Sequence, residues 1–136
     1  MKVALLGDVA LFGRFCLKQN GDVFIYLEKI AEYLKQHDFV VANLEAPFSE
    51  DVRPYGAKSA HIRSEPLNID ILKYLGITHV SLANNHMGDF GLKGSENTKN
   101  LLEKYGIDHF GTSGAQVRID GSDARVALMG YCAYNT

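Results

Sequence analysis

The amino-acid sequence predicts an α/β fold in which helices pack on a mostly parallel β-sheet. Short apolar runs typical of buried parallel strands alternate with segments whose apolar residues recur at helical spacing. Polar residues directly follow three of the apolar runs, where the predicted strands would end. This alternation of strand and helix is typical of parallel α/β sheets.

The first predicted elements are a strand, a helix and a second strand. Residues 3–6 form a continuous apolar run before Gly7, which predicts a buried strand. A helix is predicted over residues 23–36, with Asp22 as its N-cap. Residues 39–42 predict the second buried strand. The stripe expected to be buried on the helix consists of Val23, Leu27, Ile30 and Leu34.

A long irregular segment, residues 46–63, follows the second strand. Loops of this length are uncommon in compact domains and are often functional. Ser64 is expected to begin a second helix that ends at Gly76, a residue suited to a left-handed C-cap. Residues 77–83 then predict the third strand.

The last part of the chain predicts one more helix and two more strands. The helix is expected over about residues 94–105 and ends at Gly106. Residues 107–110 and 124–129 predict the remaining strands. Because no linker or low-complexity segment divides the 136 residues, the sequence predicts a single domain over residues 1–136.

Composition argues against several classes of protein. Hydrophobic residues make up 46% of the chain and charged residues 22%, with a formal net charge of -2. No basic block favours nucleic-acid binding, and no apolar run approaches the roughly 20 residues that a membrane span needs. Cys16 and Cys132 match no zinc or redox spacing. The first apolar run is too short for a secretory signal, so we expect a cytoplasmic protein.

Polar residues lie where three predicted strands end. In a parallel α/β sheet, ligands bind at the carboxyl ends of the strands, so these residues are expected to meet at one edge. The side chains collected there would be Asp8, Asn43, Glu45, Asn84, Asn85 and His86, with Asp89 one helical turn beyond.

These side chains favour a divalent cation. Carboxylates, amide oxygens and imidazole are ligands for Mn, Mg, Zn or Fe. Two carboxylates close together repel each other, and a cation removes that penalty. A carboxylate acid–base pair is an alternative use of the same residues. Asn43 has a further alternative, a hydrogen bond to the backbone, and Asn84 and Asn85 can mark a turn.

Three segments resemble the motifs of one known family. They are GDVALFGR (residues 7–14), VANLEAP (41–47) and VSLANNHMGDFG (80–91), and they occur in this order. The chain is therefore identified as similar to the capsule-synthesis CapA, or poly-γ-glutamate synthesis, family. That family resembles the calcineurin-like metallophosphoesterases in fold. The resemblance implies that this chain is the N-terminal half of a metallophosphoesterase-like α/β sandwich.

The resemblance also implies a role for each motif residue. Asp8 would ligate a first metal ion, and Glu45 would take the place of the carboxylate that bridges two metals. Asn85 would ligate the second metal. His86 would be the general acid that protonates the leaving group, and Asp89 would orient its ring. Two divalent ions are thus the implied cofactors.

Three cations near these motifs are candidate substrate-binding residues. Arg14 lies in the first motif, and Lys58 and Arg63 lie in a stretch that resembles the family's lysine-to-arginine segment. Together they would attract an anionic small molecule or a polyanionic polymer.

The sequence departs from the metallophosphoesterase pattern in two ways. Val9 and Ala10 stand where an Asp-x-His motif would continue, and the later histidine ligands are absent. We therefore expect an incomplete metal site on a piece of a longer protein. Three hypotheses follow: a metal-dependent hydrolase of capsule or poly-γ-glutamate synthesis, a non-catalytic polyanion-binding scaffold, and a structural half-domain whose exposed sheet edge is covered by another copy or by the rest of a longer protein.

Overall fold

A computed structural model describes residues 1–51, 53–112 and 116–133. Its central feature is a parallel sheet whose four strands follow one another in chain order. The predicted α/β fold with a mostly parallel sheet is confirmed. The four strands are β1 (Val3–Val9), β2 (Phe39–Leu44), β3 (His79–Ser81) and β4 (Asp108–Phe110).

One helix connects each pair of neighbouring parallel strands. The helices are α1 (Val23–Leu34), α2 (Ile69–Tyr74) and α3 (Gly91–Lys104). Their apolar residues pack with the strand residues that point to the same side of the sheet, and this forms the larger core. Its fully buried members include Val23, Leu34, Leu44, Ile71, Leu72, Val80, Leu82 and Leu102.

An antiparallel hairpin packs on the other side of the sheet. Its strands are β5 (Gln116–Asp120) and β6 (Arg125–Met129). Ile119 of this hairpin packs with Val41 and Phe110 in a second, smaller core. Leu5, the register partner of Val41 on β1, is 74% exposed, so the hairpin leaves this part of β1 uncovered, although Val3 packs against the smaller core. β1 and β4 are the two edge strands of the parallel sheet, and association through an exposed edge stays a prediction.

Three local expectations about the helices were wrong. Asp22 precedes α1, but its side chain makes no capping hydrogen bond. Ile30 is 43% exposed and lies outside the buried stripe of α1. The Ser64 hydroxyl is buried and donates to the carbonyl of Leu11 at 2.8 Å, so the side chain joins two loops and does not begin a helix. A 3₁₀ turn, Pro66–Asn68, leads into α2 instead.

The observed bounds of other elements can also be compared with the predicted ones. Glycines end α2 and α3 as expected, because Gly76 and Gly106 have positive φ angles of 71° and 67°. The third strand is shorter than the sequence predicted, since only His79–Ser81 pair with both neighbours. β5 was missed, although its alternating apolar residues and the following Gly121 are a hairpin signal. Within the described residues, no helix has the length and apolar content to cross a bilayer.

Candidate functional site

Neighbouring strands deliver the polar motif residues to one edge of the sheet. Asp8 near the end of β1 is in register with Asn43 near the end of β2, and Asn43 is in register with Ser81 at the end of β3. Glu45 directly follows β2, and its amide donates to the Val9 carbonyl at 3.1 Å. The ends of the first three strands therefore lie side by side.

A chain of side-chain hydrogen bonds crosses these three strand ends. The Asn43 amide nitrogen donates to Asp8 Oδ1 at 2.7 Å. The Asn84 amide nitrogen donates to Asn43 Oδ1 at 3.2 Å and to the Leu44 carbonyl at 2.9 Å. One oxygen of the Asp8 carboxylate is thus fixed from β2 and, through Asn43, from the loop after β3.

The oxygen of the Asn84 side chain shapes the loop that carries the histidine. It accepts hydrogen bonds from the amides of His86 and Met87, each at 3.1 Å. The start of this loop also lies against tightly packed backbone: a Cβ added at Gly111, where φ is +87°, would lie 2.7 Å from the Ala83 Cβ. Glycine at this position lets the β4 end approach the site loop closely.

The His86 ring lies between two acidic side chains. Its Nδ1 is 2.8 Å from Asp89 Oδ2, and its Nε2 is 4.0 Å from Glu45 Oε1. Because a carboxylate only accepts hydrogen bonds, the ring carries a proton on Nδ1 and turns Nε2 toward Glu45. An imidazole held in this way can present Nε2 to a reacting group.

Asp89 has a fully buried side chain that three donors surround. Besides His86, Lys58 Nζ donates to it at 2.7 Å and the Ile62 amide at 2.8 Å. Burial raises the pKa of Asp89, but the hydrogen bonds from Lys58, His86 and the Ile62 amide outweigh it and leave the pKa below its usual value. Asp89 is therefore an ionised support for the ring.

The long loop after β2 covers this part of the site. Besides its bond to Asp89, the Lys58 ammonium hydrogen-bonds the carbonyl of Asn85. The Tyr55 amide donates to the Asp89 carbonyl at 2.8 Å. An open pocket of about 370 Å³ lies between the two loops and is lined by Lys58, Ser59, Ala60, Asn85 and His86.

The donor atoms at this edge are of the types that bind divalent cations. Asp8 and Glu45 make no ion pair with a lysine or arginine among the described residues, and the Asn85 side chain accepts no hydrogen bond there. These three side chains therefore keep oxygen atoms that a hard cation can use. No three His, Cys, Asp or Glu residues of the described part of the chain form a metal-binding group by themselves. Amide oxygen would have to complete the ligand set.

The three predicted substrate-binding cations are not brought together. Lys58 lies at the pocket, but its charge is paired with Asp89. Arg63 donates to the Ser49 carbonyl at 2.9 Å and to Glu65 at 2.8 Å, which ties down the loop. Arg14 lies in an exposed 3₁₀ turn after β1 and has no ion pair among the described residues.

Sequence reasoning undervalued the two asparagines that connect the strand ends. Asn43 was left between a backbone and a metal role, and Asn84 was counted among the polar side chains at the strand ends, with a turn as its alternative, but was given no role of its own. The structure gives Asn43 a carboxylate partner and Asn84 four hydrogen bonds at once. Their positions at the ends of adjacent predicted strands were the only signal available.

Comparison with known proteins agrees with the motifs. The profile of the family described as Bacterial capsule synthesis protein PGA_cap matches residues 2–135. The capsule biosynthesis protein CapA of Bacillus anthracis is 29% identical over 117 residues, which cover 82% of this chain and 28% of the relative. The PGA biosynthesis protein CapA of Bacillus subtilis is 28% identical over 117 residues, covering 82% and 30%. The chain thus spans less than a third of either relative. It belongs to the bacterial capsule synthesis PGA_cap family.

Proposed function

We propose that this chain carries the acid–base and part of the metal-binding residues of a metal-dependent hydrolase acting on a phosphoester or related anionic bond in capsule or poly-γ-glutamate synthesis. The proposal rests on two features at the same edge of the sheet: carboxylates that lack a lysine or arginine partner, and an imidazole that is held in one orientation. Asp8 and Glu45 have no lysine or arginine partner among the described residues. His86 is held at Nδ1 by Asp89, so that Nε2 lies on the Glu45 side.

The residues of this chain have distinct tasks in such a reaction. Asp8, Glu45 and Asn85 would hold the divalent cation, which when bound supplies a more acidic water and positive charge at the substrate oxygens. In hydrolysis, water adds to phosphorus and the ester P–O bond breaks. Protonated His86 would give its Nε2 proton to the departing oxygen, while the ionised Asp89 stabilises the charged ring.

A polyanion-binding scaffold receives less support from the charges. Lys58 and Arg63 are paired with Asp89 and Glu65, so neither is a free cation for a polymer. Arg14 is the one remaining candidate of the three, and a single exposed arginine provides little electrostatic attraction at physiological salt. The hydrolase proposal uses the unpaired carboxylates, which the scaffold proposal leaves unexplained.

The proposal can be tested by measuring Mn²⁺-dependent hydrolysis of an aryl phosphate by the chain. Asp8→Asn, Glu45→Gln and His86→Gln are each expected to lower kcat by at least about a hundred-fold, in the range of general acid–base and charge-stabilising groups. His37→Gln is the matched control, because the His37 ring hydrogen-bonds carbonyls at the end of α1 and packs against Tyr33, away from the motif residues.

Turnover in the wild type that all three site variants retain would refute the proposal. The same conclusion would follow if the chain did not hydrolyse the phosphate although it bound Mn²⁺ with an affinity that Asp8→Asn does not change.

A further inference from the structure

We propose that Asn84 is a positioning residue that sets the separation of the Asp8 carboxylate and the His86 ring. The inference rests on the proposed function, because it assigns those two groups to one reaction site. Asn84 is only 8% exposed and is not among the residues that line the pocket. It acts through the residues on either side of it.

The amide nitrogen of Asn84 fixes the carboxylate side of the site. It donates to Asn43 Oδ1, which directs the Asn43 nitrogen toward Asp8 Oδ1. A second bond, to the Leu44 carbonyl, anchors Asn84 to β2. With one oxygen held from this side, the Asp8 carboxylate can turn its other oxygen toward a cation.

The oxygen of the same side chain fixes the histidine side of the site. It accepts from the amides of His86 and Met87 and so sets the course of the backbone from which the ring projects. Asparagine suits both tasks, since its side chain offers two N–H donors and an acceptor. Aspartate would keep only the acceptor, and alanine would leave buried backbone groups without partners.

Two truncations separate the two tasks. Asn43→Ala removes the link to Asp8 and leaves the Asn84 oxygen in place, whereas Asn84→Ala removes both links. We expect each variant to weaken Mn²⁺ binding, measured by calorimetry, by about ten-fold, as loss of groups that orient metal ligands does. The double variant is expected to bind about as weakly as Asn84→Ala alone, because both residues act on Asp8 in series.

Amide hydrogen exchange reports the histidine side without any metal. Asn84→Ala is expected to speed exchange at His86 and Met87, while Asn43→Ala leaves both protected. The matched control is Asn68→Ala: Asn68 is also buried, donates to the Leu11 carbonyl and Ser64 Oγ, and accepts from the Leu17 amide. This control should lose stability but keep its Mn²⁺ affinity within about two-fold.

Wild-type Mn²⁺ affinity in Asn84→Ala, with Asn43→Ala or Asp8→Ala weakened, would overturn the role of Asn84 and leave the proposed function intact. Absence of any Asp8-dependent Mn²⁺ binding would instead refute the metal site. If no such Mn²⁺ binding is found, or if Asn84→Ala fails to fold, the near-isosteric variant Asn84→Asp tests the role of Asn84. Its metal-free NMR spectrum should show a displaced Asn43 side-chain amide signal and a normal His86 amide; an unmoved Asn43 signal would overturn the proposal.

Discussion

Two aspartates at the same edge of the sheet have opposite surroundings. Asp89 is fully buried, and Lys58, His86 and a backbone amide donate to its carboxylate. Asp8 is exposed, and a neutral amide, that of Asn43, is its one side-chain partner among the described residues. The chain therefore places a cation of its own beside one carboxylate and leaves the other without one.

This difference distinguishes a carboxylate that stabilises the fold from one that remains available to bind a cation. A buried ion pair contributes little net stability, but it is costly to break, so Asp89 with Lys58 fixes the position of the ring and the loop around it. An exposed carboxylate that neutral amides orient remains available to a metal ion from solution. Substitutions at Asp89 or Lys58 should therefore mainly lower the stability of the fold. Substitutions at Asp8 should mainly weaken cation binding.

The largest effect on stability is expected from Lys58→Met. The substitution leaves the Asp89 carboxylate buried without its cation, at a cost of about 3 kcal/mol in the free energy of unfolding, the lower end of the usual range because Lys58 is 23% exposed. Urea unfolding in the absence of divalent ions measures it. Lys18→Met, which removes the exposed partner of Glu65, is the control and should change the free energy far less. An equal loss of unfolding free energy in Lys58→Met and Lys18→Met would contradict the special cost assigned to the buried Asp89 carboxylate.

Divalent cations should stabilise the protein through Asp8. At a Mn²⁺ concentration a hundred times the dissociation constant, the free energy of unfolding should rise by about 2.7 kcal/mol. Asp8→Asn should abolish this increase while unfolding like the wild type without metal, and Asp89→Asn should keep most of it. Mn²⁺-dependent stabilisation that survives in Asp8→Asn would show that the cation binds elsewhere.

Acid should weaken the Asp89 side in a defined pH range. The folded-state pKa of Asp89 lies below the usual value, so its ionisation stabilises the fold above about pH 3.9 and this contribution is lost as the pH falls further. Urea unfolding of the wild type and of Asp89→Asn at a series of acidic pH values measures the difference. The variant should lose less stability over this range, and identical slopes would contradict the assignment.

The smallest expected effect concerns His79, a buried base without a fully buried counter-ion. Burial lowers its pKa, and Asp108, 3.5 Å away on the exposed side, opposes this only partly. The unfolded chain therefore binds a proton more readily, and stability should fall as the pH drops below about 6.5. His79→Gln should flatten the unfolding profile between pH 7 and pH 5. A wild-type profile without slope there would contradict the burial argument.

The sequence predicted the parallel sheet and the elements that deliver the motifs, because apolar runs and glycine caps are local signals. It did not predict that the Ser64 hydroxyl would be buried, since its partner, the Leu11 carbonyl, comes from a distant loop. The Asp22 side chain was expected to cap α1 and makes no capping hydrogen bond. The pairing of Lys58 with Asp89 was also hidden, because 31 residues separate the two. From sequence, Lys58 could only be interpreted as a free cation near the site.

The roles of Asn43 and Asn84 depended on register. A shift of one residue in β2 against β1 would turn Asn43 away from Asp8, and nothing local in the sequence fixes that alignment. The pairing of Asp8 with Asn43 follows an irregularity in the β1–β2 ladder between Leu5 and Asp8. Such an irregularity re-aims the side chains beyond it, so the hydrogen bond between Asp8 and Asn43 could not be predicted from the two strand sequences alone.

Anomalous X-ray scattering from crystals soaked in Mn²⁺ tests the central claim most directly. We expect an anomalous peak at the carboxyl ends of β1–β3, within about 2.0–2.6 Å of oxygens of Asp8, Glu45 and Asn85. The peak should vanish in crystals of Asp8→Asn. A Mn²⁺ peak that contacts none of these residues would show that the unpaired carboxylates do not form a metal site. The absence of any anomalous peak at saturating Mn²⁺ would show the same.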